Sequence, residues 1–411
     1  MRNRWLQIAH TSGAGLASAA ASAASLAISA RALGADGRGE LAAASTWALL
    51  FASFGSLSLG STALHLGAGR KRQEWLPEVA GSLLLLLAAF SCACFAVAGL
   101  CWFAGGRSLF GNASGKSLLL AFAALPFLMA TEQGRYLLYA LDEIGRANRA
   151  QIAGLVAGLV ALFVLLVPLH LGVAGALVAA LIGAVVTAYA GWARLVKPLA
   201  VSRATVLELL VSGAQLHANT IGSFLFHQAG ILVVNRYRSA DEVAFYQLAV
   251  QLFLLALFLP SAINASSFAQ VGAQGANAAW PAQRKLLWQS LLVSLLLGGL
   301  GYLLAPLAVR IVAGPRFLPA AGLFRKLVPA LIPATAANVL ASQWLGRGLF
   351  WQIAAVSCGA GLTSVALAAL LVPRIGADGA AYATLSGYGV VTLVSIAFYF
   401  WIEARTAKEA A

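Results

Sequence analysis

The sequence predicts an all-α polytopic membrane protein with about 12 transmembrane helices in two pseudo-symmetric six-helix bundles. Three observations predict it. Hydrophobic residues make up 61 % of the chain and charged residues 10 %, whereas a soluble domain is nearer half apolar and a quarter charged. The apolar residues fall in runs long enough to cross a bilayer of roughly 30 Å, at 82–104, 151–169, 172–193, 246–263, 286–309, 350–372 and 379–402. The chain also repeats itself. LLVP at 165–168 returns at 370–373, each time followed by Gly, then Gly-Ala, a further Gly and Val-Val-Thr. Pro168 and Pro373 stand 205 positions apart, and so do Arg31 and Arg236, and Asp36 and Asp241. Distant marks that share one offset make half the chain a unit used twice, 1–200 and 201–411. Helices satisfy the backbone in lipid, and the runs are too uniformly apolar for barrel strands.

The first span, at about 10–30, carries Ser18, Ser22, Ser25 and Ser29 on one helical face. Two readings stay open: a small-residue packing stripe, or the wall of a hydrated cavity. MRNRW before an Ala/Ser stretch also has features of a signal peptide; sparse leucine and the place of Arg31 in the repeat argue for a span. The second span, 41–66, follows the loop RALGADGRGE. The third, 80–104, holds Cys92, Cys94 and Cys101. With Cys358 they match no metal or redox spacing and read as packing residues.

The fourth span, 117–141, has Glu132, Arg135, Tyr136 and Tyr139 on one face, with Pro126 able to loosen it. Arg135 lies seven residues before Asp142, roughly 10 Å inside the span end, and a charge at that depth needs a partner or water. Either it pairs locally with Glu132, or it meets an anionic group, for which the arginine fork suits diphosphate. The fifth and sixth spans, 150–170 and 172–194, are apolar. The stretch 195–206 joins the halves.

The seventh span, 207–234, places Gln215, Asn219, Ser223 and His227 four residues apart. By the 205 offset Ser223 matches Ser18 and His227 matches Ser22, so the stripe recurs with larger side chains. Amides and imidazoles face protein or water rather than lipid. His217 points elsewhere and reads as a satisfied packing residue. The eighth span, 243–268, adds Gln247, Gln251 and Asn264, with Pro260 among them; the tenth, 327–346, adds Thr335, Asn338 and Ser342. A buried network and a cavity lining are both open for these two. The ninth, eleventh and twelfth, 286–312, 350–372 and 378–402, are apolar.

The net charge of +14 sits mainly in short loops, with no nucleic-acid motif. The distribution of Arg and Lys favours both termini inside the cell. No loop has room for a soluble catalytic domain. No glycine loop for nucleotides, nucleophile constellation or metal cluster is present, so neither an enzyme nor a cofactor nor a metal is expected.

RALGADGRGELAAAST resembles the Arg-x-Leu-Gly-x-x-x-x-Gly signature of bacterial polysaccharide-biosynthesis flippases, carried here by Arg31, Leu33, Gly34 and Gly39. These belong to the multidrug/oligosaccharidyl-lipid/polysaccharide exporter superfamily. The two LLVP segments and DEIGRANRAQIAG are similar to that family as well, and the resemblance covers essentially the whole chain. It implies a V-shaped pair of bundles around a central cavity lined by the first, second, seventh and eighth helices. It implies movement of a lipid-linked oligosaccharide, usually on undecaprenyl diphosphate, between leaflets of the bacterial inner membrane. Membrane lipid, a polysaccharide polymerase and glycosyltransferases would be the partners. Within that frame Arg135 is the candidate for the diphosphate, with Glu132 and Tyr139 beside it. Asn219, His227, Gln251 and Asn338 are the candidates for the sugar hydroxyls, and Ser18, Ser22, Gln215, Ser223 and Asn264 are further candidates for the cavity lining.

Two departures stand out. Drug-extruding relatives often carry a carboxylate in the first span, and this chain has none there. Lipid II flippases usually have fourteen spans and an Arg-Ser-Gly-Asp cluster, and neither is visible. A small-molecule exporter of the same fold is the alternative, though export of a cationic drug favours acidic cavity residues. A membrane polysaccharide polymerase or ligase is the alternative from another class, though it would need a long external loop.

Overall fold

A computed structural model describes the backbone of residues 2–67, 72–193, 195, 199–258, 267, 270–272 and 274–410. Those residues form helices and connecting turns, with no β-strand among them. By packing, the chain divides into two units: Met1–Ile221 with Ser239–Asp241, and Gly222–Arg238 with Glu242–Ala411.

In the first unit, α1 (Arg2–Gly55) contains the first expected span and the start of the second, separated by a break at Gly34 (φ 67, ψ −172). Left-handed backbone followed by an extended ψ is open to glycine at little cost, which accounts for this member of the motif. Leu57 and Ser58 (φ 45 and 52) interrupt the chain again before α2 (Leu59–Gly67), and the two pieces meet at a bend of 42°. Next come α3 (Arg72–Phe110) and α4 (Gly115–Ala123). Ser114 caps α4 by accepting from the Ser117 amide (3.2 Å), and Glu40 accepts from the Ser117 hydroxyl (2.7 Å); an oxyanion at a helix start is favourable. Pro126 opens α5 (Leu125–Ala140), so the fourth span is two helices in series. α6 (Ile144–Leu166) and α7 (Gly172–Trp192) follow, and then α8 (Arg203–His227), whose last residues from Gly222 on belong to the second unit. Trp192 donates to the Ala130 carbonyl (2.8 Å), tying α7 to α5.

The rest of the chain forms α9 (Ala229–Tyr237), α10 (Ala240–Ala256), α11 (Ala276–Val312), α12 (Pro319–Leu327), α13 (Leu331–Gly346), α14 (Phe350–Ile375) and α15 (Ala377–Ala410). A 3-10 turn at Val328–Ala330 interrupts the tenth span, as the α4–α5 break interrupts the fourth. Each of the twelve expected stretches thus holds a helix or a broken helix.

The repeat has a backbone cause. The joint after LLVP turns through Gly172 (φ 58) in one unit and Gly376 (φ 68) in the other, 204 positions apart. Arg238 closes the second joint by donating from Nε to the Val372 carbonyl (2.9 Å) and from Nη2 to the Pro373 carbonyl (3.0 Å). Glu242 caps α15 by accepting from the Ala377 amide (2.9 Å). A further pair of joints carries no shared residue. Asp142 (φ 58) and Gly348 (φ 71) are both left-handed. The Glu143 amide donates to the Leu138 carbonyl (2.8 Å), and the Leu349 amide donates to the Trp344 carbonyl (3.0 Å). This is one Schellman-type helix ending made twice, 206 positions apart.

Among the described residues, eight helical segments are long and apolar enough to cross a membrane, and they are the third to sixth and ninth to twelfth expected spans. Ser18–Gly55 with Leu59–Gly67 qualifies as a ninth when the bent pair is taken as one. Among the described residues, the helices of the seventh and eighth spans do not qualify. Along α8 the amides, histidines and Glu208 lower the hydropathy, whereas the described helix of the eighth span, Ala240–Ala256, is only 17 residues long.

Candidate functional site

The fourth span meets the second through Gly60. A Cβ there would stand 2.7 Å from the Tyr136 ring and 3.2 Å from Gln133 Cα, so only a bare backbone permits this approach of α2 to α5. The approach sets the polar face of α5. Glu132 is half-buried beside Ser56 and within electrostatic reach of Arg135, but the two form no ion pair within 4 Å. Arg135 is exposed instead, its guanidinium 5.4 Å from the Tyr136 ring centre. Tyr136 meets the exposed Tyr139 edge to face at 6.2 Å. Gln133, beside this face, is buried, and neither end of its amide is hydrogen-bonded among the described residues. Unbonded buried amides are costly and uncommon. The sequence reading passed over Gln133 because it lies off the charged stripe.

The break at Leu57–Ser58 is clasped by α8. The Ser58 hydroxyl lies 3.1 Å from His217 Nδ1 and 2.9 Å from the Thr220 hydroxyl. Phe54 packs edge to face on the His217 ring at 6.4 Å. His217 is therefore a buried, bonded packing residue, as its place off the stripe suggested. Turning His217 inward leaves the other side of α8 uncovered. That side runs from the exposed Leu207 and Val211 to the exposed Gln215 and Asn219.

In the second unit, His227 and Asn338 line one cavity of about 380 Å³, within the range of small-molecule sites. Ser357, Ser395, Tyr388 and Trp344 share its wall, and the rest is apolar. His227 is exposed, and its Nδ1 lies 2.9 Å from the Ser223 carbonyl. That contact holds the ring along the helix and leaves Nε2 for another partner. Phe226 fixes Tyr388 from one side at 4.6 Å, and Phe253 from the other at 5.6 Å. Below them the Tyr246 and Thr384 hydroxyls are 2.9 Å apart.

The structure thus groups Glu132, Arg135 and Tyr139 on α5, Gln215 and Asn219 on α8, and His227 with Asn338 in the cavity. Ser223 and Gln251 are half-buried. Ser18 is half-buried and Ser22 exposed, while Ser29 of the same stripe is buried and donates to the Ser25 carbonyl (2.7 Å). Asn264 lies outside the described residues. In the motif, Arg31 is exposed, Leu33 half-buried and Gly39 buried. Arg38 beside them is buried. Tyr388, Ser357 and Ser395 reach the cavity from α14 and α15 and sit in apolar runs, which hides them from a reading by polar spacing.

No family model and no curated protein matches the chain. Solved structures do. An inward-facing multidrug-resistance MATE transporter of the MOP superfamily superposes with a TM-score of 0.73 at 16 % identity, covering 94 % of each chain. The lipid II flippase MurJ in an inward closed conformation superposes with a TM-score of 0.74 at 14 % identity, over 93 % of this chain and 86 % of that one. A MOP-superfamily transporter from Pyrococcus furiosus gives 0.60 at 17 % identity, over 97 % and 95 %. The chain has the fold of MOP-superfamily transporters.

Proposed function

We propose that this chain is a flippase that carries a lipid-linked oligosaccharide, on undecaprenyl diphosphate, from the inner to the outer leaflet for surface polysaccharide biosynthesis. The reading places it in the bacterial inner membrane with both termini cytoplasmic. Residues 1–200 and 201–411 would be its two six-helix halves, and the polymerase and glycosyltransferases of the pathway its partners. It rests on the MOP fold and on the chemistry of the polar faces.

The observation that carries it is Arg135. A guanidinium uncovered at the depth of a membrane-spanning helix is not stable against lipid. It is stable against water or an anion. A diphosphate offers paired oxyanions that match the arginine fork. The exposed amides of α8 and the His227–Asn338 cavity supply donors and acceptors of the kind sugar hydroxyls use. Tyr388 and Trp344 supply the apolar walls. The prenyl tail needs none of this, because lipid already solvates it.

A small-molecule exporter of the same fold is the second reading, and the mixed character of the His227–Asn338 cavity favours it. Depleting the chain in its host separates the two. Lipid-linked glycan trapped on the cytosolic face supports the flippase. Normal glycan export with heightened drug sensitivity supports the exporter.

A further inference from the structure

We propose that Glu132 is a positioning residue for release: it takes the Arg135 guanidinium as the transported anion leaves, and so keeps that anion from being held too tightly. This role rests on the reading that Arg135 meets a diphosphate.

The starting point is the depth of Glu132. The eight segments able to cross a membrane contain the acidic residues Glu78, Glu132, Asp378 and Glu403. Glu78, Asp378 and Glu403 each stand within a turn of a segment end. Glu132 does not. Its segment ends at Ala140, which places it roughly 12 Å inside at 1.5 Å per residue. A carboxylate at that depth is costly unless it faces water or a counter-charge.

The charge that acts on Glu132 is Arg135. Side chains three apart on a helix are neighbours and can meet by rotation alone. In the structure they are drawn to different surroundings instead. Glu132 lies beside Ser56 of α1, whose hydroxyl donates to the Ser53 carbonyl (3.0 Å) and so spends its proton within α1. Arg135 lies over Tyr136, 5.4 Å from the ring centre, and that ring is set by the bare backbone of Gly60. The guanidinium is exposed, close enough to feel the carboxylate and too far to touch it.

A carrier must let go of what it binds. An arginine fork on a diphosphate makes paired, charge-assisted hydrogen bonds, and tight binding shows mainly as slow dissociation. Departure of the diphosphate would also leave a guanidinium at membrane depth without an oxyanion. Glu132 is an oxyanion tethered one turn away, and it removes that cost. A guanidinium that spends about nine-tenths of the free state on Glu132 binds its ligand about tenfold more weakly than one with no such alternative. A carboxylate that held the substrate, by accepting from a sugar hydroxyl or by binding a cation for the phosphates, would have the opposite effect.

The test uses the full chain purified in neutral detergent. Inorganic diphosphate is titrated against wild type, E132Q, R135A and the double variant, and KM and kcat are measured in liposomes with undecaprenyl-diphosphate glycan. E132Q should bind inorganic diphosphate about tenfold more tightly and should lower both KM and kcat. E132D, whose shorter side chain reaches Arg135 less readily, should fall between E132Q and wild type, and it carries the test where E132Q does not fold. In the R135A background E132Q should have a much smaller effect, because the group it acts through is gone. Where inorganic diphosphate binds too weakly to measure, KM carries the same comparison. Unchanged or weaker binding in E132Q, or a tenfold effect that persists in R135A, overturns the proposal while leaving Arg135 on the diphosphate. An R135A protein that binds and transports like wild type overturns the Arg135 reading itself, and this role with it.

Discussion

Replacing Gly60 by alanine puts a methyl group into the narrowest approach between α2 and α5. The new Cβ would stand 2.7 Å from Tyr136 Cδ2, 3.2 Å from Gln133 Cα and 3.4 Å from the Glu132 carbonyl oxygen. Carbon atoms in contact prefer about 3.5–4.0 Å. The Tyr136 ring must therefore move by about 1 Å, and Gln133, being backbone, can yield only a few tenths. Overpacking of this kind costs about 1–3 kcal/mol, against about 0.5–1 kcal/mol gained by removing glycine from a helix. The clash wins, with a net loss of about 1–2 kcal/mol. Tyr136 is also the ring beside the Arg135 guanidinium, so the same methyl group should lower transport. Gly99→Ala is the matched control: nothing lies within 4 Å of its Cβ, and a small gain in stability is expected. The assay is thermal unfolding in detergent alongside transport in liposomes. If Gly60→Ala matches Gly99→Ala in both, the close approach of α2 and α5 is not what sets this face.

The remaining expectations follow from the joints, the clasp and the cavity. Gly172→Ala meets no atom within 4 Å and should cost only the left-handed strain, about 1–2 kcal/mol. Gly376→Ala should cost more, because its Cβ would stand 2.5 Å from the Glu242 carboxylate that caps α15; the ranking is read from paired unfolding midpoints. Ser58→Ala removes the His217 Nδ1 contact while the hydrogen bond to the Phe54 backbone stays, and should destabilise by about 0.5–1.5 kcal/mol, measured by chemical denaturation. Asn338→Leu fills part of the His227 cavity with apolar surface. It should reduce transport while leaving the unfolding midpoint within a few degrees of wild type.

Much of this architecture was legible in the sequence because helical period and bilayer thickness are simple constraints. The LLVP repeat pointed to two units, and its physical basis is the left-handed turn at Gly172 and Gly376. The Asp142–Gly348 pair was not legible, since aspartate and glycine satisfy the same backbone conformation without sharing a side chain. The breaks at Pro126 and Val328–Ala330 were half legible: proline marks the place but does not say whether a helix bends or stops. Among site residues, the spacing of Gln215, Asn219 and His227 predicted one stripe; in the structure Gln215 and Asn219 are exposed on α8, while His227 lines the cavity with Asn338. Their partners were hidden. Tyr388 and Ser395 join His227 only through folding across more than 150 positions.

The central claim is that polar faces on these helices carry a charged headgroup across the membrane, with Arg135 on the diphosphate. The most direct measurement is the amount of undecaprenyl-diphosphate glycan that reaches the far leaflet of liposomes containing the purified chain. Wild type should move it. Arg135→Ala should be about 10–100-fold slower, the loss of one charge-assisted contact worth about 1.5–3 kcal/mol, with Arg135→Lys between the two. Equal rates for wild type and a folded Arg135→Ala protein, or no movement by wild type, would contradict the account.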